Sequence, residues 1–139
     1  MRRLKTRLAV LFALVLLAGV GIAPSADASV SSSLSSSPAG GTYSYSISKA
    51  SADLASVSGT LKDTRADGYC AYARVSIAIT LSADIAQERT VCGSGSSVKV
   101  FTAATAPGGL FIITGIKFKV CRKKGSTLSG CSYRTFDAV

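Results

Sequence analysis

An antiparallel β-sandwich of about seven strands is the fold class that the sequence predicts, and three observations predict it. From Thr42 onward, short runs alternate apolar and polar side chains, as in Tyr43-Ser44-Tyr45-Ser46-Ile47-Ser48. Period-two alternation buries one face of a strand and wets the other. Clusters of Gly, Ser, Pro and Asp separate the runs, and no helical period follows the first 28 residues. Four cysteines, Cys70, Cys92, Cys121 and Cys131, fall in this same part. An even count in a small exported domain reads as two disulfides, each contributing about 3 kcal/mol.

Residues 1–28 have the three parts of a secretory signal peptide. Arg2, Arg3, Lys5 and Arg7 form a basic start, Leu8 to Ile22 is an apolar run of 15 residues, and Ala26-Asp27-Ala28 offers a small-x-small cleavage site. The run is shorter than the roughly 20 residues of a spanning helix. The expectation is therefore an extracellular protein beginning at Ser29, with no membrane span once the leader is removed. Residues 29–41 hold seven serines in thirteen positions, then Pro38, Gly40 and Gly41. That composition predicts a flexible tether, with the disulfide-bonded β domain occupying residues 42–139.

Within the domain, strands are predicted at Tyr43–Ser48 and Val57–Lys62, with residues 49–56 open between loop and helical turn. Asp63 to Gly68 reads as a turn. Tyr69 to Leu81 is the longest clean pattern: Ala71, Ala73, Val75, Ile77 and Ile79 share one parity, and Arg74, Ser76 and Thr80 the other. Cys70 lies on the polar parity. A following hairpin centred on Ala83 would set Arg74, not Cys70, opposite Cys92. A Cys70–Cys92 bond therefore needs a bulge between Ala71 and Arg74, or joins two sheets; the inter-sheet form is the expectation.

Further strands are expected over Ile85–Cys92 and Val98–Ala103. Another spans Leu110–Cys121, with Gly115 marking a bulge because Phe111 and Ile113 make its early half apolar on both faces. Arg122 to Gly130 is read as a loop before a closing strand, Cys131–Asp137. A hairpin centred on Ser126 would bring Cys121 opposite Cys131. The sandwich is expected to be immunoglobulin-like or Greek-key, with a small Greek-key barrel as the alternative. The core tryptophan and long cysteine spacing of antibody domains are absent.

Composition narrows the chemistry. The chain contains no histidine, which removes ordinary Ser-His and Cys-His pairs and the common metal triads. The acids after the leader, Asp53, Asp63, Asp67, Asp84, Glu88 and Asp137, fall at turns or polar positions and read as solvated loop carboxylates. Asp63 to Gly68 superficially matches a calcium loop, but Arg65 stands where a second oxygen ligand is needed and no glutamate follows at the right distance. The expectation is a non-enzyme with no catalytic residue, no metal and no cofactor.

The positive signal is basic. The net charge is +9, and about +6 once the leader is set aside. Lys117 and Lys119 project from one strand face, and Arg122, Lys123 and Lys124 continue beyond it, with Arg134 expected beside them. Such a cluster can hold anionic cell-wall polymer, lipid headgroups or nucleic acid through charge; the bland reading is a solvated sheet edge. Nucleic acid is disfavoured because no aromatic stacking pattern accompanies the charges. The primary expectation is a secreted binding or structural module for an anionic surface polymer. The alternative is a secreted inhibitor or antagonistic effector, directed at another secreted protein, that presents the disulfide-braced loop 122–130.

Asp63 to Ala71, read with Val91-Cys92-Gly93, resembles a recurring pattern in small secreted two-disulfide proteins of actinobacteria. That resemblance implies export and oxidation and carries no assigned activity. Secreted subtilisin inhibitors share the size and cysteine count but differ in cysteine spacing and around their reactive loop. Neocarzinostatin-type carriers are similar in architecture, yet their local motifs are missing.

Overall fold

The computed structural model describes residues 29–138, so the leader lies outside the described residues. Eight strands form two four-stranded antiparallel sheets. In chain order they are β1 (Val30–Ser35), β2 (Gly41–Ala50), β3 (Leu54–Asp63), β4 (Cys70–Ile79), β5 (Ile85–Val91), β6 (Ser97–Thr105), β7 (Ile113–Lys124) and β8 (Thr127–Asp137). The first sheet is ordered β1-β2-β3-β6 and the second β5-β4-β7-β8. The β3–β4, β5–β6 and β6–β7 connections each change sheet, while β3 pairs with β6 and β4 with β7. These long-range pairings lock two sheets face to face, and the all-β sandwich stands, with one strand more than expected.

The extra strand is β1. Residues 29–41, expected as a flexible tether, instead supply an edge strand in register with β2, from Val30 opposite Ile47 to Ser35 opposite Thr42. Alternation explains it: Leu34 packs against the core while Ser31, Ser33 and Ser35 face solvent. The following loop is also tied down. Ser36 is buried, its Oγ accepts from the Gly41 N–H at 3.0 Å, and the Ser37 N–H donates to the Gly130 carbonyl at 2.8 Å. A serine-rich composition suggested disorder; pairing with a neighbouring strand overrides it.

The core lies between the sheets. Tyr43, Tyr45, Ile47, Val57 and Leu61 come from the first, and Ala71, Val75, Ile77, Ile116, Phe118 and Val120 from the second. Tyr45 stacks on Phe118 with centroids 4.1 Å apart, and Phe136 meets Phe118 edge-on at 5.7 Å. The edge-on arrangement suits the aromatic quadrupole. The shift at the start of β7 falls between Ile113 and Gly115, where Ile79 opposes Ile113 and Ala78 opposes Gly115. One extra residue there swaps faces. Ile113 therefore joins Ile116 in the core, while Ile112 stays exposed.

Both disulfides form with the nearest-neighbour connectivity, Cys70–Cys92 and Cys121–Cys131. The expected route for the first was wrong. It joins neither two sheets nor the two sides of a bulge; it bridges adjacent β4 and β5 within one sheet. Ala71 opposes Val91 and Ile77 opposes Ile85, so the hairpin centres on Leu81 and not on Ala83. Leu81 turns the chain with φ 55°, two residues earlier than expected. Cys70 then sits legitimately on the outward face.

The second disulfide follows the expected register about Ser126 as far as Val120 opposite Ser132. The expected loop 122–130 is mostly strand. Arg122 opposes Ser129 and Lys124 opposes Thr127, leaving a turn of Gly125 and Ser126. The extra residue that shifts this register lies on β8 near Gly130, a glycine with φ 55°.

Candidate anion-binding face

The register of β4 and β7 decides which cations share a surface. Ser76 opposes Lys117, Arg74 opposes Lys119, Tyr72 opposes Cys121 and Cys70 opposes Lys123. All these residues have the parity opposite the buried Ala71, Ala73, Val75 and Ile77, so they lie on the outer face of the second sheet. On β8, Tyr133 opposes Lys119 and Leu128 opposes Lys123. Lys117, Lys119, Lys123 and Arg74 therefore form one cationic face crossed by both disulfides.

Each cation has a modest local partner. Lys117 Nζ lies 3.3 Å from Asp84 Oδ2, and Arg74 Nη1 lies 3.2 Å from Glu88 Oε1. Both pairs are solvent-exposed and worth about 0–1 kcal/mol, so an anionic ligand could replace either carboxylate at small cost. Lys119 Nζ stands 5.7 Å from the centre of the Tyr133 ring, and Lys123 Nζ the same distance from that of Tyr72. Burial, and then the Glu88 carboxylate, push the Tyr72 phenol up, so that ring stays neutral beside the lysine.

Arg122 and Lys124 do not join this face. With the opposite parity, Arg122 turns to the end of the sandwich, where Nη2 donates to Asp67 Oδ2 at 2.6 Å. Its guanidinium lies 4.0 Å from the Tyr69 ring centre, and Lys124 Nζ stands 5.5 Å from the same ring. Asp67 Oδ1 also accepts the Tyr69 N–H at 3.1 Å. That bond, followed by Arg122, holds the Asp67 carboxyl below its ordinary range against partial desolvation. Asp67-Gly68 is thus a braced turn, with Gly68 at φ 75°.

Arg134 is also elsewhere: it donates to Ser32 Oγ at 2.6 Å and to the Tyr45 hydroxyl at 3.2 Å, clasping β1 to β8. The five expected site cations therefore divide into three on the face and two at the sandwich end. Sequence reasoning missed Arg74, Tyr72 and Tyr133, which strand parity plus the β4–β7 and β7–β8 registers would have supplied.

Among the described residues no cluster of three metal-ligating side chains occurs, and no helix is long and apolar enough to cross a membrane. Two disulfides suit an oxidising compartment. Fold and surface together define a two-disulfide β-sandwich with a cationic outer sheet. No family model, curated protein or solved structure matches the chain.

Proposed function

We propose that the protein is a secreted, non-enzymatic binding module, allied to small exported actinobacterial proteins, that holds an anionic cell-surface polymer on the outer face of β4, β7 and β8. The observation that carries this reading is the alignment of Lys117, Lys119 and Lys123 along one side of β7, with Arg74 opposite Lys119. Residues two apart on a strand are spaced about 7 Å, so a flexible polyanion can meet several amines at once. The attraction is electrostatic and must weaken with salt. Tyr133 is the exposed aromatic of this face, which gives no series of rings for bases to stack on and favours a wall polymer over nucleic acid. Neither metal nor cofactor is required.

Retention of the secreted protein on an immobilised polyanion tests the reading. Retention should fall as NaCl rises and should be lost in the double variant K119E/K123E. Retention unchanged by that charge reversal would dispose of it.

A second reading rests on the β7–β8 hairpin. Its tip, residues 124–127, is exposed, and the Cys121–Cys131 bond braces its base. A rigid projecting tip suits a secreted inhibitor or antagonistic effector. A protease panel distinguishes the two, since nanomolar inhibition would favour the hairpin.

A further inference from the structure

The other broad surface of the sandwich has a different chemistry. On the outer face of the first sheet, Ser31, Ser46, Ser58 and Phe101 form one row across β1, β2, β3 and β6. Ser33, Ser44, Thr60 and Lys99 form the next, and Ser35, Thr42, Lys62 and Ser97 a third. These three rows contain no carboxylate and no aliphatic side chain. Hydroxyls are spaced about 4.8 Å across strands and about 7 Å along them. Strand propensity alone would favour β-branched and aromatic residues at such positions, so it does not call for the repeated serines.

Between the first two rows runs a shallow depression of about 490 Å³, lined by Ser44, Ser46, Ser58, Thr60, Lys99 and Phe101. Its floor is backbone, including Gly59. At its β6 end Phe101 is 62% exposed, and across from it the Lys99 ammonium donates to Thr60 Oγ1 at 3.1 Å.

From this arrangement we infer that the outer face of β1, β2, β3 and β6 binds a neutral polysaccharide chain laid across the strands, with one sugar ring against Phe101. Each serine or threonine hydroxyl offers one donor and two acceptor sites, the complement of a polyhydroxylated chain. Several already bond one another, as Ser31 does Ser46 and Ser35 does Thr42, which orients the remaining lone pairs. An exposed ring supplies dispersion to the apolar face of a sugar. A protein partner fits less well, because serine is depleted at protein interfaces and serine and threonine are under-represented among their hot spots. A polyanion fits less well too, because Lys62 and Lys99 are the cations of these rows. The site is separate from the cationic face on the opposite sheet.

The test is depletion of the full secreted protein from solution by washed insoluble neutral polysaccharides (cellulose, chitin and a β-1,3-glucan) in 0.5 M NaCl. Binding to at least one is expected, with about a tenfold loss in Phe101→Ala and in the double variant S44A/S58A. All these positions lie on a solvent-facing surface, and circular dichroism confirms each variant's fold. K119E/K123E should bind the neutral polymer like the parent, which separates this site from the cationic face. The inference is overturned if no neutral polysaccharide depletes the protein, or if Phe101→Ala binds undiminished. It is equally overturned if depletion disappears in 0.5 M NaCl and in K119E/K123E. Sedimentation showing dimers that Phe101→Ala dissolves would assign the face to a second copy of the chain instead.

Discussion

Arg122 Nη2 meets Asp67 Oδ2 at 2.6 Å while its guanidinium covers the Tyr69 ring, so one side chain of β7 fastens the turn that leads into β4. The Asp67 carboxyl is held below its ordinary value, first by the Tyr69 N–H. A depressed carboxylate pKa adds stability that is present above the unfolded value, near 3.8, and lost as pH falls through the lower folded value. Asp67→Asn should therefore lower the urea midpoint at pH 7 and lose less further stability on acidification, so that the gap between the two proteins narrows as pH falls below 3.8. Asp53 is shifted the same way, first by the Ser51 hydroxyl, so some acid dependence persists in the variant. Parallel curves for parent and variant from pH 7 to pH 3 would contradict this.

Gly59 sits where the first sheet has no room for a side chain. A Cβ there would lie 2.5 Å from the Tyr43 ring and from the Ser44 carbonyl. Tyr43 is itself packed against Tyr45 and Phe118, with centroids at 5.5 and 6.1 Å, so the ring has nowhere to retreat. Gly59→Ala should destabilise by about 1–3 kcal/mol, the usual range for overpacking. Thermal unfolding measures it, and an unchanged melting temperature would show that the ring moves freely.

The disulfides should differ in the order their loops dictate. Cys70 and Cys92 are separated by 22 positions and Cys121 and Cys131 by 10. Closure entropy gives about 3.4 kcal/mol for the first and about 2.7 kcal/mol for the second. Paired Cys→Ser replacement should therefore lower the urea midpoint more at Cys70/Cys92 than at Cys121/Cys131. The reverse order would mean that native contacts at the β7–β8 hairpin, and not chain entropy, dominate.

Strand parity was legible wherever one face is buried and the other wet, which is why β2, β3, β4 and β6 were readable without coordinates. Register was less legible. The β4–β5 hairpin turns at Leu81, a non-glycine residue in a left-handed conformation, and nothing in its side chain announces that. Shifting the centre by two residues moved Cys70 from opposite Ser96 to opposite Cys92 and removed the need for a bulge. β1 was hidden for a different reason: its serines resemble a linker, and only partners far along the chain make it a strand. The cationic face suffered from both effects. Lys117, Lys119 and Lys123 could be grouped by parity, but Arg122 and Lys124 were grouped with them by proximity in sequence, which parity forbids.

Tyr43 offers a probe of the core from the alkaline side. Its ring is 1% exposed, and its hydroxyl has no hydrogen-bond partner in the protein. Burial, and then the neighbouring Tyr45, push the phenol up to about 12. The folded state thus holds this proton more tightly than the unfolded chain, whose tyrosines titrate near 10. By linkage its contribution is fully present below pH 10 and is lost as pH rises towards 12, since ionised Tyr43 is tolerated only outside the core. Absorbance at alkaline pH should show Tyr43 ionising together with loss of near-ultraviolet dichroism. Tyr43→Phe removes a buried hydroxyl that makes no bond, so at neutral pH it should be neutral or stabilising by up to about 1 kcal/mol. The same variant should shift alkaline unfolding to higher pH. If Tyr43→Phe unfolds at the same alkaline midpoint as the parent, the proton that limits stability belongs to another residue.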